Sequence, residues 1–226
     1  MLEGIRQTFA FENWPASRLA SFLDRHEAFF QSNFTRPSFL DNHDMNRFLW
    51  VVEGDQRKLQ LAAMCQFSLS EPPIVYYGTE VGLSQQRDVR QEELGIPEEA
   101  RLPMLWEDQQ DQDLLQYYQE LCGMRKNLAS IRNGERETVY LDDQLFVFWR
   151  KTQKDRALIV LNIGSAPKKY PLPSNNLIIY MQTGEVKFTS ERKNLELCLG
   201  SWSGAVLQLQ ETDDLRIANP LIGGKE

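Results

Sequence analysis

Phe39-Leu40-Asp41-Asn42-His43-Asp44-Met45-Asn46-Arg47-Phe48 is the one dense polar cluster in this chain that closes a short apolar run, Arg36-Pro37-Ser38-Phe39-Leu40. Two acids, two amides, an imidazole and a guanidinium fall within it. A carboxylate accepts hydrogen bonds from paired hydroxyls, an imidazole donates one, and a guanidinium can orient a neighbouring carboxylate. Such a set can surround a polyhydroxylated ligand. It also suits a helix N-cap or a solvated turn, and the residue types alone leave both readings open.

Outward from this cluster, helical and strand patterns alternate. Pro15-Ala16-Ser17 opens an amphipathic stretch with Leu19, Phe22, Leu23, His26, Phe29 and Phe30 at helical spacing. Residues 36–41 read as a short buried strand. Residues 55–69 read as a second helix, with Leu59, Leu61, Ala62, Ala63, Cys65 and Leu69 on a broad apolar face. Pro72-Pro73-Ile74-Val75-Tyr76-Tyr77-Gly78 reads as another strand, whose glycine permits a sharp exit. A polar loop over 79–111 is long enough to suggest function. A third helix over 111–127 carries Leu114, Leu115, Tyr118, Leu121, Cys122 and Met124. This alternation is that of a parallel sheet with crossover helices.

Near residue 133 the period changes to two. Strands are expected at 137–141, 144–151, 156–163, 177–181, 195–199 and 205–209, the first two joined at Asp142-Asp143 as a hairpin. The expected division is therefore 1–133 α/β, 134–212 an antiparallel β-sandwich, and 213–226 a flexible tail. Phe146, Trp149 and Trp202 read as sandwich core, and His26 as a packed or capping histidine. The pairs Glu92-Glu93 and Glu98-Glu99 read as solvated loop.

The chain has 226 residues, a net charge of −7 and 42% hydrophobic residues, which excludes an intrinsically disordered polymer. No Lys/Arg run offers a surface for a polyanion, so nucleic acid and anionic membrane are not expected partners. No 18-residue apolar run and no leader pattern at Met1-Leu2-Glu3-Gly4-Ile5-Arg6 are found, and the expected location is cytoplasmic. Cys65, Cys122 and Cys198 are read as buried free thiols, and with two His residues no metal site and no cofactor are expected.

The 39–48 segment resembles the "F-x-D/N-N-H-D-x-x-R" signature of the α-amylase superfamily of glycoside hydrolases, at the end of the seventh strand of a TIM barrel. The text downstream agrees in order. Ile74-Val75-Tyr76-Tyr77-Gly78-Thr79-Glu80-Val81-Gly82 is similar to the eighth strand and its loop. Asp88, Arg90 and Arg101-Leu102-Pro103-Met104-Leu105-Trp106-Glu107 resemble the "D…R-x-P-M-x-W-D" stretch, with Glu107 where Asp is usual. Tyr117 to Asn133 resembles the last barrel helix, and 135–210 the sandwich that follows. Details lean towards the neopullulanase and cyclomaltodextrinase branch.

The resemblance implies a partial TIM barrel, its last strands and helices, followed by a β-sandwich, from a retaining enzyme acting on an α-glucan or oligosaccharide in carbohydrate metabolism. It makes Asp44 the carboxylate that stabilises the transition state and His43 a contact to the same sugar. Asn42 and Arg47 are supporting substrate-binding residues, and Asp41 a further supporting acid. The family's nucleophile and acid/base motifs do not occur in these residues, so the chain alone is expected to be inactive and to self-associate or bind the missing barrel half. The other reading is a non-catalytic carbohydrate-binding or scaffold module.

Overall fold

A computed structural model describes residues 1–30, 34–90, 97–191 and 194–210. The proposed tail at 213–226 and the pair Glu92-Glu93 lie outside the described residues. Among the described residues six α-helices come first: α1 (Leu2–Ile5, running into a π-turn at Arg6–Ala10), α2 (Ala16–Phe29), α3 (Phe48–Val51), α4 (Gln56–Ser68), α5 (Gln112–Asn127) and α6 (Ala129–Asn133). Eight strands follow: β1 (Glu135–Leu141), β2 (Leu145–Lys151), β3 (Arg156–Asn162), β4 (Lys168–Pro171), β5 (Leu177–Thr183), β6 (Val186–Glu191), β7 (Asn194–Leu199) and β8 (Ser203–Leu209).

Helices α4 and α5 begin at aspartate N-caps. The Asp55 carboxylate accepts from Arg57 N at α4, and that of Asp111 from Leu114 N at α5. Ala16 N, at the start of α2, donates to Asp143 O in the β1–β2 turn. In that turn Asp142 Oδ1 accepts from Gln144 N and Leu145 N at 2.7 and 2.6 Å, which fixes the hairpin.

All strand pairs among the described strands are antiparallel, in a five-stranded sheet ordered β1-β2-β3-β8-β5 and a three-stranded sheet ordered β4-β7-β6. The central strands of the larger sheet, β2, β3 and β8, are buried on both faces, while the edge strand β1 is largely exposed. On one face Phe146, Phe148, Ile159, Leu161 and Val206 join the helices in one apolar cluster. Leu145, Val147, Leu158, Val160 and Leu207 point the other way, to Tyr170, Leu197 and Leu199 of the smaller sheet. Gly204 lets α4 approach this closely, since a Cβ there would lie 2.8 Å from Leu61 Cδ1.

Several expectations change. The predicted strands 36–41 and 72–78 make one isolated parallel bridge, Ser38 to Pro73. Pro37, Pro72 and Pro73 have no N–H to donate to a ladder. Strands β4 and β6, and helices α1 and α3, are additional to the reading, their segments being too short for periodicity to show, and the 117–133 stretch likened to one helix is divided between α5 and α6. Phe146 and Trp202 are buried in the large cluster, while Trp149 packs partly on the smaller one. His26 packs between the rings of Phe22 and Phe30. Of the three cysteines only Cys65 is buried; Cys122 is exposed on α5, because the part of its apolar stripe holding Leu115 and Cys122 is uncovered.

Candidate active site

The 39–48 cluster divides into an enclosed half and an open half. Asp41 is enclosed. Its Oδ2 accepts from Phe48 N at 2.8 Å, at the first turn of α3, and Thr79 Oγ1 donates to its two oxygens at 3.0 and 3.2 Å. Burial pushes the Asp41 carboxyl above its ordinary value, against the pull of these hydrogen bonds and of Arg47 and Arg6. Arg6 Nη1 donates to Leu40 O and Asn46 O, tying the π-turn to both ends of the cluster.

Arg47 is fully enclosed. Its Nη1 donates to Tyr77 O at 2.8 Å, and its guanidinium lies 4.6 and 4.9 Å from the ring centroids of Tyr76 and Tyr77. The resemblance counts Arg47 as a supporting substrate-binding residue. In the structure its side chain has no solvent-facing surface and braces the 74–77 segment, with two ring faces beside its guanidinium. Arg47 N donates to Gln85 Oε1, and Gln85 Nε2 donates to Asn46 Oδ1, which also accepts from Val89 N. The loop after Gly78 is thereby locked to the cluster. Gly78 itself has φ +85°, and a Cβ there would stand 2.6 Å from Leu83 Cδ2.

The open half is the turn at 42–44. Asn42 Oδ1 accepts from Asp44 N at 2.9 Å, an Asx-turn that presents the next side chains outward. His43 Nε2 stands 3.2 Å from Asp44 Oδ2, and both side chains are more than half exposed. Arg101 closes the group from the far end of the long loop. Its Nη2 donates to Asp44 Oδ1 and its Nε to His43 O, both at 3.2 Å, and Glu98 lies 3.8 Å from Nη1. Arg101 was quoted in the sequence motif without a role. Its signal was the long loop itself, and its partner could not be found without the fold.

Behind Arg101, Tyr76 Oη donates to Ala100 O and Tyr77 Oη to Leu102 O. Burial first, and the neighbouring Tyr77 hydroxyl next, push the Tyr76 phenol up to about 12, so it remains a donor at neutral pH. The result is a carboxylate facing solvent, an imidazole against it, and a cation from a second segment, all on an enclosed polar frame. That arrangement can accept hydrogen bonds from adjacent hydroxyls while holding a negative charge in place.

Residues 6–114 match the profile of the family described as "Alpha amylase, catalytic domain", a stretch that contains every candidate residue. The chain is 38% identical over 160 residues to alpha-amylase 2 of Dictyoglomus thermophilum, which covers 70% of this chain and 28% of that protein. It is 34% identical over 128 residues to neopullulanase 2 of Thermoactinomyces vulgaris, covering 55% of this chain and 20% of the other. Among solved structures, the alpha-amylase of Geobacillus thermoleovorans complexed with acarbose superposes with a TM-score of 0.73 at 23% identity, over 93% of this chain and 47% of that one. The chain thus spans less than a third of those relatives and under half of that structure. By homology it is a relative of the alpha-amylase-family glycoside hydrolases.

Proposed function

We propose that this chain, as a relative of alpha-amylase-family glycoside hydrolases, carries the transition-state-stabilising part of a site for retaining hydrolysis of α-glucans. Asp44 is the stabilising carboxylate, His43 contacts the same sugar, Asn42 shapes the turn, and Arg47 holds the 74–77 segment behind it. The observation that supports this best is the exposed Asp44 carboxylate, paired with His43 and Arg101 above the enclosed Asp41–Arg47 frame. In this reading residues 1–133 are the last part of a (β/α)8 barrel and 134–212 a β-sandwich.

The chemistry sets the limits of the proposal. Retaining hydrolysis needs a nucleophilic carboxylate and an acid/base carboxyl about 5–5.5 Å apart. Asp44 is neither: in the proposed role it accepts hydrogen bonds from sugar hydroxyls, and these strengthen as positive charge develops on the ring. The Asp44 side chain is 63% exposed and has one contact per oxygen, so its remaining lone pairs are open to sugar hydroxyls. These 226 residues alone are proposed not to cleave glucans. The solved relative bound to acarbose supports an oligosaccharide as the ligand class.

The test is a titration of the 226-residue polypeptide with acarbose and with maltotriose, followed by amide NMR. Shifts should concentrate at 42–44 and 101 and vanish in Asp44→Ala, while reducing-sugar release from starch stays at background. Shifts elsewhere, or sugar release by the pure chain, would contradict the proposal.

A further inference from the structure

A cleft of about 410 Å³ lies beside α3, lined by Trp50, Val51, Glu53, Gly54 and Ser84. None of these residues belongs to the 42–44 turn. The volume falls within the roughly 300–1,000 Å³ range of small-molecule sites. Its walls are α3, the turn that ends it, and the loop after Gly82. They are tied in place at both ends. Asp41 holds the first turn of α3 through Phe48 N. Beyond the turn, Gln56 Nε2 donates to Asp111 Oδ2 at 2.6 Å, and Asp111 N donates to Val81 O at 3.1 Å, just before Ser84.

The turn is built against the backbone preference of one of its residues. Helix α3 ends in a Schellman motif, with Gly54 N donating to Leu49 O and Glu53 N to Trp50 O, at 2.9 and 3.0 Å. The residue that goes left-handed at such an end is ordinarily glycine or asparagine. Here it is Glu53, at φ +55°, and the glycine comes one position later. A long acidic side chain at that position is a local cost that the turn itself does not require. Glu53 is exposed, and its carboxylate has no partner among the described residues. The Trp50 indole N–H and the Ser84 hydroxyl likewise have none, although both residues are half-buried. An acceptor, a donor and a group that does both thus border one cleft, and the fold uses none of them.

We propose that this cleft is an accessory binding site for an α-glucan chain, separate from the 42–44 turn. A pyranose ring has an apolar face of C–H bonds and an edge of hydroxyls. The Trp50 indole covers the face, the Glu53 carboxylate accepts from adjacent hydroxyls, and Ser84 bonds a further one. A glucan chain held there is retained on the same frame that carries Asp44. The choice of a glucan rests on the reading of the 42–44 turn as a glucan site.

The test is a titration of the isotope-labelled 226-residue polypeptide with maltoheptaose, read at the indole N–H signals of its five tryptophans. Trp50, assigned by its loss in Trp50→Phe, should shift together with the Ser84 amide, and as strongly in Asp44→Ala. Glu53→Gly should weaken this response by about fivefold or more, the loss of a charged hydrogen bond. Its thermal midpoint should hold or rise, because glycine suits φ +55°. A purely structural Glu53 would do the opposite, with a lower midpoint and unchanged affinity. Ser84→Ala, outside the helix turn, should weaken the response by about threefold.

A Trp50 signal unmoved by excess maltoheptaose overturns the proposal, as does binding that Glu53→Gly leaves unchanged. A Trp50 response that disappears in folded Asp44→Ala would make the cleft an extension of the 42–44 site and overturn it too. Lost shifts at 42–44 beside an intact Trp50 response remove the proposed function and leave the accessory site standing; the reverse removes the accessory site alone.

Discussion

Asp41 is the residue at which burial and hydrogen bonding oppose each other most directly. Its carboxyl is raised from 3.8, chiefly by burial, so over a window above that value the folded chain holds a proton that the unfolded chain releases. Stability contributed by that proton is complete below the unfolded value and is lost as pH rises through the folded one. Thermal midpoints measured from about pH 4 to 8 should therefore decline across the window, and Asp41→Asn should flatten that decline. Equal slopes in both proteins would show that other groups set the pH dependence. The sequence made Asp44, His43 and Asn42 visible because their motif is continuous. It counts Arg47 as a supporting substrate-binding residue, and the fold packs its guanidinium against Tyr76 and Tyr77. Arg101 lies 57 residues from Asp44, and no local pattern encodes a contact over that separation.

At the scale of elements, a single long side chain adds a polar tie between helix and sheet to the apolar clusters. The Arg136 side chain, on β1, is 3% exposed and reaches Asp24 at 2.6 Å and Glu27 at 3.0 Å on α2. Burial alone would lower its guanidinium, but Glu27 and Asp24 outweigh it and the value is raised. Arg136→Ala should cost about 1–3 kcal/mol in urea denaturation, since it strips the partners of two carboxylates and opens a gap under α2. A loss below about 0.5 kcal/mol would class the cluster with ordinary surface ion pairs. Gly204→Ala should cost a similar ~1–3 kcal/mol, because the added methyl meets Leu61 and the Val160 carbonyl and must push α4 off the sheet. Unchanged stability would mean that α4 shifts freely there. Helices α2, α4 and α5 and most of the antiparallel strands were legible from period and caps. The 36–41 and 72–78 segments were legible as apolar and extended but not as ladders, since a parallel strand is completed by neighbours distant in sequence and three prolines withhold donors.

Across the whole molecule, the central strands of the larger sheet are enclosed on both faces, while the helical half leaves its largest aromatic side chains uncovered. Phe29 is 82% exposed and Phe34 57%, and Phe30 stacks on Phe34 with centroids 5.5 Å apart. This aromatic edge should make the isolated 226 residues associate as concentration rises, and Phe29→Ser should weaken the association in sedimentation-velocity runs. A monomer at millimolar concentration would contradict it. The central claim concerns Asp44, and a chimaera tests it most directly: residues 1–210 joined to the upstream portion of the Dictyoglomus alpha-amylase 2 in place of its own shared region. Its kcat on maltooligosaccharides should fall about 10²–10⁴-fold with Asp44→Asn, which removes a charge that counts in the transition state, while its thermal midpoint holds. His43→Ala should cost less, since a neutral hydrogen bond is weaker than a charged one. Near-normal turnover by the Asp44→Asn chimaera would contradict the account and reduce the 42–44 turn to a structural element.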